Sequence, residues 1–323
     1  METQLNEILV TVVLEHISNK VRPSSYLMET LNLSRESAYR RLRNEIPFTM
    51  DEIGALSIRL GFSIDEIIGR IKENRAFFDF FSEKENSCSA FYNMLQKINS
   101  NIESLQEDDL SEVVITLNRT LPILRIFYDE IFRFTYFKWL IQSSEIVSNQ
   151  LFSSIQIPRE LAALQKKAKF TLKKIPSVTL ILDSNIFSSL VTEIQYYYQR
   201  KLIDDTELEL LRNDVLKQIE SFEQIARTGI FGENTKIDLY LSSLYINANM
   251  GYLGAANTQQ WFFWTHTTNP VIIHNKEFCS INQKWINSIK RQSVLISESN
   301  EMLQSEFFNK QRQWVNQNLS KSG

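Results

Sequence analysis

Glycine is scarce in this chain, with 8 among 323 residues, and none occurs between Gly69 and Gly229. Proline is rarer still, with 6 residues in the whole sequence. Because glycine and proline mark turns and end helices, their scarcity over such a span predicts long helices joined by tight polar turns. The glycine-rich loops that hold phosphates in nucleotide-binding enzymes are absent as well.

Cysteine and histidine are also few, at 2 and 3 residues. The two cysteines, Cys88 and Cys279, cannot build a disulfide framework, which fits a reducing cytoplasm. His266, His274 and Cys279 lack the paired spacing of zinc ligands, so we predict no metal and no cofactor. The sequence contains neither a Gly-x-Ser-x-Gly nucleophile elbow nor a His-Glu-x-x-His pair. These absences predict a protein that is not an enzyme.

Long hydrophobic runs are missing too. No window approaches about 18 uninterrupted apolar residues, and the N-terminus lacks the basic start and cleavage site of a signal peptide. We therefore expect a cytoplasmic protein with no membrane partner. The net charge of −3 excludes a polybasic nucleic-acid coat, whereas 43% hydrophobic and 11% aromatic residues predict large cores.

Several short helices with clear caps are predicted between Ser24 and Ile68. Ser34 can cap a helix whose inward positions are Ala38 and Leu42. Thr49, with Glu52 three residues later, makes a capping box for the next helix. Two helices joined by a turn of about three residues, the second of them basic, have the layout of a helix-turn-helix DNA reader.

The charge in this region is concentrated on the predicted second helix. Residues 35–43 contain four arginines and one glutamate, a local net charge of +3 (4 − 1). Residues 1–75 contain ten basic and eleven acidic side chains, a net charge of −1 (10 − 11). The local field is the one that faces phosphates, but the low overall charge predicts that tight binding requires a dimer.

The segments LNLSRESAYRRLRNE and FTMDEIGALSIRLGFSIDEI resemble the Cro/C1-type (Xre, phage-repressor-like) helix-turn-helix domain. The wording ESAYRRLRNE also resembles a sub-group of large bacterial regulators with Ala-Tyr-Arg-Arg in the recognition helix and a large C-terminal domain. The family usually has glycine where this chain has Asn32, and asparagine also tolerates a left-handed turn. The resemblance implies a DNA-binding transcription regulator.

We expect the helix over residues 34–45 to read DNA. Placed at about 100° per residue, this helix turns its arginine-rich side away from Ala38 and Leu42. Arginine can contact guanine with two hydrogen bonds, and Glu36 can accept one from cytosine. Arg35 and Arg41 lie nearer the protein side, which suits a phosphate contact or an internal ion pair. The predicted DNA contacts are Ser25, Arg35, Glu36, Ser37, Tyr39, Arg40, Arg43 and Asn44.

The predicted fold is mainly α. Residues 1–73 are predicted to form a five-helix helix-turn-helix domain. Residues 74–323 are predicted to form a helical sensor and dimerisation domain, with a small antiparallel β region at 231–275, where Ile237 and Leu239 alternate with polar residues. The predicted function is a homodimeric regulator that reads a near-palindromic site in double-stranded DNA, with a small-molecule or peptide effector as a further partner. The alternative is a helix-turn-helix protein that acts through protein recognition, as antitoxin-like or phage-type partners do.

Overall fold

A computed structural model of the protein describes residues 2–17, 21–60, 62–64, 67, 87–107, 110–173, 175, 177–255, 259–264, 270–273 and 275–320. The chain forms two compact units, Met1–Phe78 and Asp79–Gly323. Each unit has its own hydrophobic core.

The N-terminal unit is helical. Its helices are α1 (Glu2–His16), α2 (Pro23–Leu31), α3 (Arg35–Leu42) and α4 (Met50–Leu60). Their inward faces share a core made of aliphatic side chains with two phenylalanines, whose members include Leu9, Val12, Val13, Leu27, Ala38, Phe48, Leu56 and Phe62. The fifth helix of the predicted domain falls largely outside the described residues.

The predicted fold class, mainly α with a small antiparallel β region near the C-terminus, is wrong, because the C-terminal unit is built on an eight-stranded mixed sheet. The strands are β1 (Leu110–Leu117), β2 (Ser177–Leu182), β3 (Ile230–Phe231), β4 (Thr235–Ser242), β5 (Met250–Ala255), β6 (Gln259–Trp264), β7 (Pro270–Ile273) and β8 (Ser293–Leu295).

The centre of the sheet consists of three parallel strands. The strand order is β3-β4-β2-β1-β5-β6-β7, and β8 pairs with β4. Strands β1, β2 and β4 run parallel, with Leu117 beside Leu182 and Leu182 beside Leu241. All the other pairings are antiparallel. The parallel strands therefore end together at one edge of the sheet.

Helices cover both faces of this sheet. They are α5 (Ser87–Glu107), α6 (Pro122–Arg125), α7 (Asp129–Gln142), α8 (Arg159–Leu172), α9 (Ser188–Gln199), α10 (Asp205–Thr228), α11 (Lys276–Arg291) and α12 (Glu301–Asn318). Leu180 and Leu239 join the large core formed by most of these helices. Cys279 and Ile286 of α11 are buried on the other side, where α11 contacts β4, β5, β6 and β8. None of the helices described is long and apolar enough to cross a bilayer.

The error in fold class comes from two strands that look like helix or linker. Strands β1 and β2 both lie in the glycine-free span between Gly69 and Gly229, for which the sequence predicts long helices joined by tight turns. Both are short apolar runs rich in branched residues, and periodicity alone does not separate a buried strand from a buried helix. Strand β2 is buried continuously from Val178 to Leu182, so it lacks the alternation that revealed β4.

Candidate nucleic-acid interface

Helices α2 and α3 pack against each other and are joined by a tight turn. Asn32 ends α2 in the left-handed conformation, with φ +52° and ψ +44°, and its N–H donates to the carbonyl of Met28. Ser34 begins the next helix, since its hydroxyl oxygen accepts from the N–H of Ser37 at 3.2 Å. A turn of Asn32, Leu33 and Ser34 therefore connects the two helices, as in a helix-turn-helix motif.

Most of the predicted DNA contacts lie on the solvent side of α2 and α3. Ser25, Arg35, Glu36, Tyr39 and Arg40 are exposed. Arg43, at the C-terminal end of α3, has 71% of its side chain exposed, compared with 49% for Arg40 and 12% for Arg41. Ser37 is half-buried, and its hydroxyl oxygen accepts a 3.1 Å hydrogen bond from the Ser34 hydroxyl. The exposed side chains form a mixed basic and polar surface, which we call the α3 face: Arg35, Glu36, Tyr39, Arg40 and Arg43.

Tyr39 links this surface to α2. Hydrogen bonds with Ser24 and Arg35 lower the pKa of Tyr39, and the positive charge of Arg35 lowers it further. The guanidinium of Arg35 also lies 5.7 Å from the centre of the Tyr39 ring, within the range of a cation–π contact. Arg35 is thereby held over the first half of α3, close to the helix N-terminus that attracts anions.

Arg40 and Arg43 share one weak partner. Arg40 Nε lies 3.5 Å from Glu45 Oε2, and Arg43 Nη1 lies 3.9 Å from Glu45 Oε1. Exposed pairs of this kind contribute about 0–1 kcal/mol, because solvent screens the charges and ordering long side chains costs entropy. Both arginines can therefore exchange Glu45 for a phosphate or a base at little cost.

Asn44 has a different environment from the other predicted contacts. Its side-chain oxygen accepts from the amide of Asn6, and its own amide donates to Glu7 Oε1 at 3.3 Å. Asn6 Oδ1 in turn accepts from the N–H of Phe48 at 3.1 Å. Asn44 has a φ of +62°, so it turns the chain after α3 and ties that turn to α1. The structure thus places Asn44 in a network within the unit.

Arg41 is the arginine on α3 that faces the protein. Its guanidinium donates to Glu52 through Nε at 3.0 Å and through Nη2 at 2.8 Å. The Phe48 ring centre lies 6.0 Å from the same guanidinium. One arginine of the four therefore joins α3 to α4, while Arg35, Arg40 and Arg43 stay at the surface.

The C-terminal unit contains an apolar cavity of about 110 Å³. It lies between the parallel strands and helices α6, α8 and α10, and its walls include Leu117, Leu180, Phe222 and Ile237. Tyr128 and Ser221 supply hydroxyl groups. Burial raises the pKa of Tyr128, although its hydrogen bond with Ser221 opposes that rise. Such a cavity can take up a small apolar molecule.

No protein-family model matches this chain, and comparisons with curated proteins and with solved structures give no match. Its function is therefore inferred from the geometry of its own residues.

Proposed function

We propose that the protein is a sequence-specific DNA-binding transcription regulator, related to the Cro/C1-type regulators, which acts as a homodimer in the cytoplasm without enzymatic activity. The observation that carries this proposal is that one arginine of α3 faces the protein while the others face solvent. Arg41 is used to hold the helix in the unit, whereas Arg35, Arg40 and Arg43 project from the second helix of a tight helix-turn-helix. An exposed basic second helix is the part of such a motif that enters the major groove.

In this mechanism the α3 face has two kinds of contact. Arg40 and Arg43 read base edges, where a bidentate arginine–guanine contact discriminates by about 1–3 kcal/mol. Arg35 and Ser25 contact phosphates, which position the unit but carry no sequence information. Two copies of α3 enter successive major grooves about 34 Å apart, so the operator is a near-palindrome.

The C-terminal unit is proposed to mediate dimerisation and sensing. Its apolar cavity gives a small-molecule effector a place to bind, without a cofactor or a metal. Such an effector acts only if its affinity differs between the DNA-binding geometry of the dimer and another geometry. The size of the cavity favours a small apolar molecule over a peptide as its occupant.

The experiment is a selection of genomic fragments, including the region upstream of the protein's own gene, with full-length protein as bait. Wild-type protein is expected to enrich fragments that share a two-fold symmetric site, and Arg40→Ala/Arg43→Ala is expected to enrich none. Arg59→Ala is the control, since Arg59 is an exposed arginine on α4 that pairs with Glu29 at 3.2 Å. Equal enrichment by wild-type protein and the double variant would count against the proposal.

The second candidate function is protein recognition with DNA binding secondary, as in an antitoxin-like or phage-type partner. What favours it is a pair of exposed apolar side chains on α4: Ile58 is 87% exposed and Met50 is 70% exposed. Gly54 lies between them, and a Cβ built there meets nothing within 4 Å. If the selection enriches no fragment, a partner that binds wild-type protein but not Ile58→Glu would favour this function.

A further inference from the structure

The three parallel strands deliver their connecting loops to one edge of the sheet, which is where open α/β sheets bind ligands. The loops at this edge are tied together. Asn249 Oδ1 accepts from the N–H groups of Asn118 and Arg119 at 2.8 and 3.3 Å. Asp183 Oδ2 accepts from the N–H of Ile246 at 3.0 Å. The edge is therefore a rigid support for the side chains that follow β1 and β2.

Two buried cations converge beside this edge. Arg125 of α6 has 3% of its side chain exposed, and Lys138 of α7 has 4%. Both face Glu193 of α9: the Lys138 ammonium forms an ion pair with Glu193 Oε2, and Arg125 Nη1 lies 3.9 Å from the same oxygen. Arg125 Nε donates to the Thr120 hydroxyl at 3.0 Å. We call Arg119, Arg125, Lys138 and Glu193 the edge cluster.

The edge cluster carries more positive charge than its one carboxylate balances. Burial lowers the pKa of Arg125 and of Lys138, Glu193 opposes the fall in both, and Arg119 adds to it. Three cations and one carboxylate leave a net charge of +2 (3 − 1). Within the described part of the chain, Arg125 Nη1 has no hydrogen-bond partner. The hydroxyl of Ser189, one turn before Glu193 on α9, lacks one too. Uncompensated buried charge is strongly unfavourable, so an anion bound here would stabilise the fold.

We propose that the edge cluster binds a small molecule through a phosphate group, which takes the position of the Glu193 carboxylate between Lys138 and Arg125. A phosphate monoester carries a charge of about −1.5 to −2 near neutral pH, so in place of the single negative charge of Glu193 it balances more of the charge of the three cations. The planar guanidinium supplies directed N–H groups, and the ammonium supplies a point charge. Glu193 is 33% exposed, so its carboxylate can move into solvent when the anion enters. The proposal is independent of DNA binding, and its failure would leave that function untouched.

If the anion takes the position of the Glu193 carboxylate, removing that carboxylate should tighten anion binding at the edge cluster. The test uses full-length protein, with inorganic phosphate as the probe and chloride at matched ionic strength as the blank. Affinity is measured by calorimetric titration and by the rise in Tm with phosphate concentration. Relative to wild-type protein, Glu193→Gln is expected to bind phosphate about tenfold more tightly, and Lys138→Met at least about tenfold more weakly.

Lys166→Met is the matched control, because Lys166 is an exposed lysine on α8 and its loss changes the net charge equally. Its phosphate affinity is expected to equal that of wild-type protein. Equal phosphate affinity in wild-type protein and Lys138→Met would overturn the proposal. If Lys138→Met does not fold, Glu193→Gln decides, because affinity no tighter than that of wild-type protein means that Glu193 does not occupy the anion position.

Discussion

Arg41 and Glu52 form a bidentate ion pair that joins α3 to the first turn of α4, with Nε 3.0 Å from Oε2 and Nη2 2.8 Å from Oε1. Glu52 Oε2 also accepts from the N–H of Thr49 at 2.9 Å, while the Thr49 hydroxyl accepts from the N–H of Glu52 at 3.3 Å. One carboxylate therefore completes the capping box of α4 and orients the proposed recognition helix.

Replacement of Arg41 tests this anchor. The ion pair is largely buried, with 12% of the Arg41 side chain and 15% of the Glu52 side chain exposed. Arg41→Ala therefore leaves the Glu52 carboxylate without the two hydrogen bonds that Arg41 donates. We expect the free energy of unfolding to fall by about 2 kcal/mol. Arg40→Ala is the control, and its exposed pair should cost no more than about 1 kcal/mol. Chemical denaturation followed by circular dichroism measures both, and equal losses would contradict the assignment of Arg41 as the anchor.

Asn44 provides a second test, because its backbone and its side chain make separable contributions. Both Asn44→Ala and Asn44→Gly lose the side-chain hydrogen bonds to α1, but alanine keeps a Cβ at φ +62° whereas glycine removes it. We expect the alanine variant to be less stable than the glycine variant by about 1 kcal/mol. Thermal unfolding of the two proteins gives this difference. A glycine variant that is the less stable one would show that the left-handed turn is not the constraint.

The starts of α3 and α4 can be predicted from the sequence because the residues that cap each helix are close together in the chain. The Ser34 hydroxyl caps α3 by accepting from the N–H of Ser37, three residues later. Thr49 and Glu52, which form the capping box of α4, are also three residues apart. Asn32 can replace the usual glycine because asparagine tolerates the left-handed region. Arg41 and Asn44 show the limit of helical periodicity: their partners Glu52 and Asn6 lie on other helices, and no local pattern identifies them.

The sheet and the edge cluster cannot be predicted in this way, because the residues that form them are far apart in the chain. Strand β1 pairs with β2 about 65 residues later, as in the pairing of Val114 with Thr179. Scarcity of glycine predicted helices there, although branched residues can form strands without glycine in the turns. Arg125, Lys138 and Glu193 are ordinary helix residues in the sequence. Only the crossover connections of the parallel sheet bring their three helices together.

The lowered pKa of Lys138 predicts that the free energy of unfolding changes with pH in the alkaline range. Burial lowers the pKa of Lys138 to about 8 from 10.5, Glu193 raises it, and Arg125 and Arg119 lower it. Between about pH 8 and 10.5 the unfolded chain binds more protons at Lys138 than the folded protein does. The contribution of Lys138 to the free energy of unfolding therefore rises with pH across this window and is lost as the pH falls through 8.

Comparison with Lys138→Met isolates that contribution. The free energy of unfolding of wild-type protein, minus that of the variant, is expected to increase between pH 7.5 and pH 10 by on the order of 2 kcal/mol. Urea unfolding at the two pH values measures it, and Lys166→Met serves as the reference for an exposed lysine. A difference that stays constant or decreases with pH would refute the lowered pKa.

The apolar cavity predicts that filling it stabilises the protein. Val178 lines the cavity, so Val178→Ile adds one methylene group to empty space and should raise the free energy of unfolding by about 0.8 kcal/mol. Val191→Ile is the control, because Val191 is fully buried in the same core and does not line this cavity. We expect the control to lose about 1–3 kcal/mol by overpacking. The same response in both variants, measured by thermal unfolding, would show that the space is not available.

The most direct test of the central claim is the affinity of Arg40→Ala for a selected DNA fragment, measured by fluorescence anisotropy beside wild-type protein and Arg59→Ala. If the α3 face reads DNA, Arg40→Ala binds about 5- to 150-fold more weakly, which corresponds to about 1–3 kcal/mol, and Arg59→Ala binds like wild-type protein. Equal affinity of Arg40→Ala and wild-type protein, with the variant shown to be folded, would contradict the claim that this helix is the DNA reader.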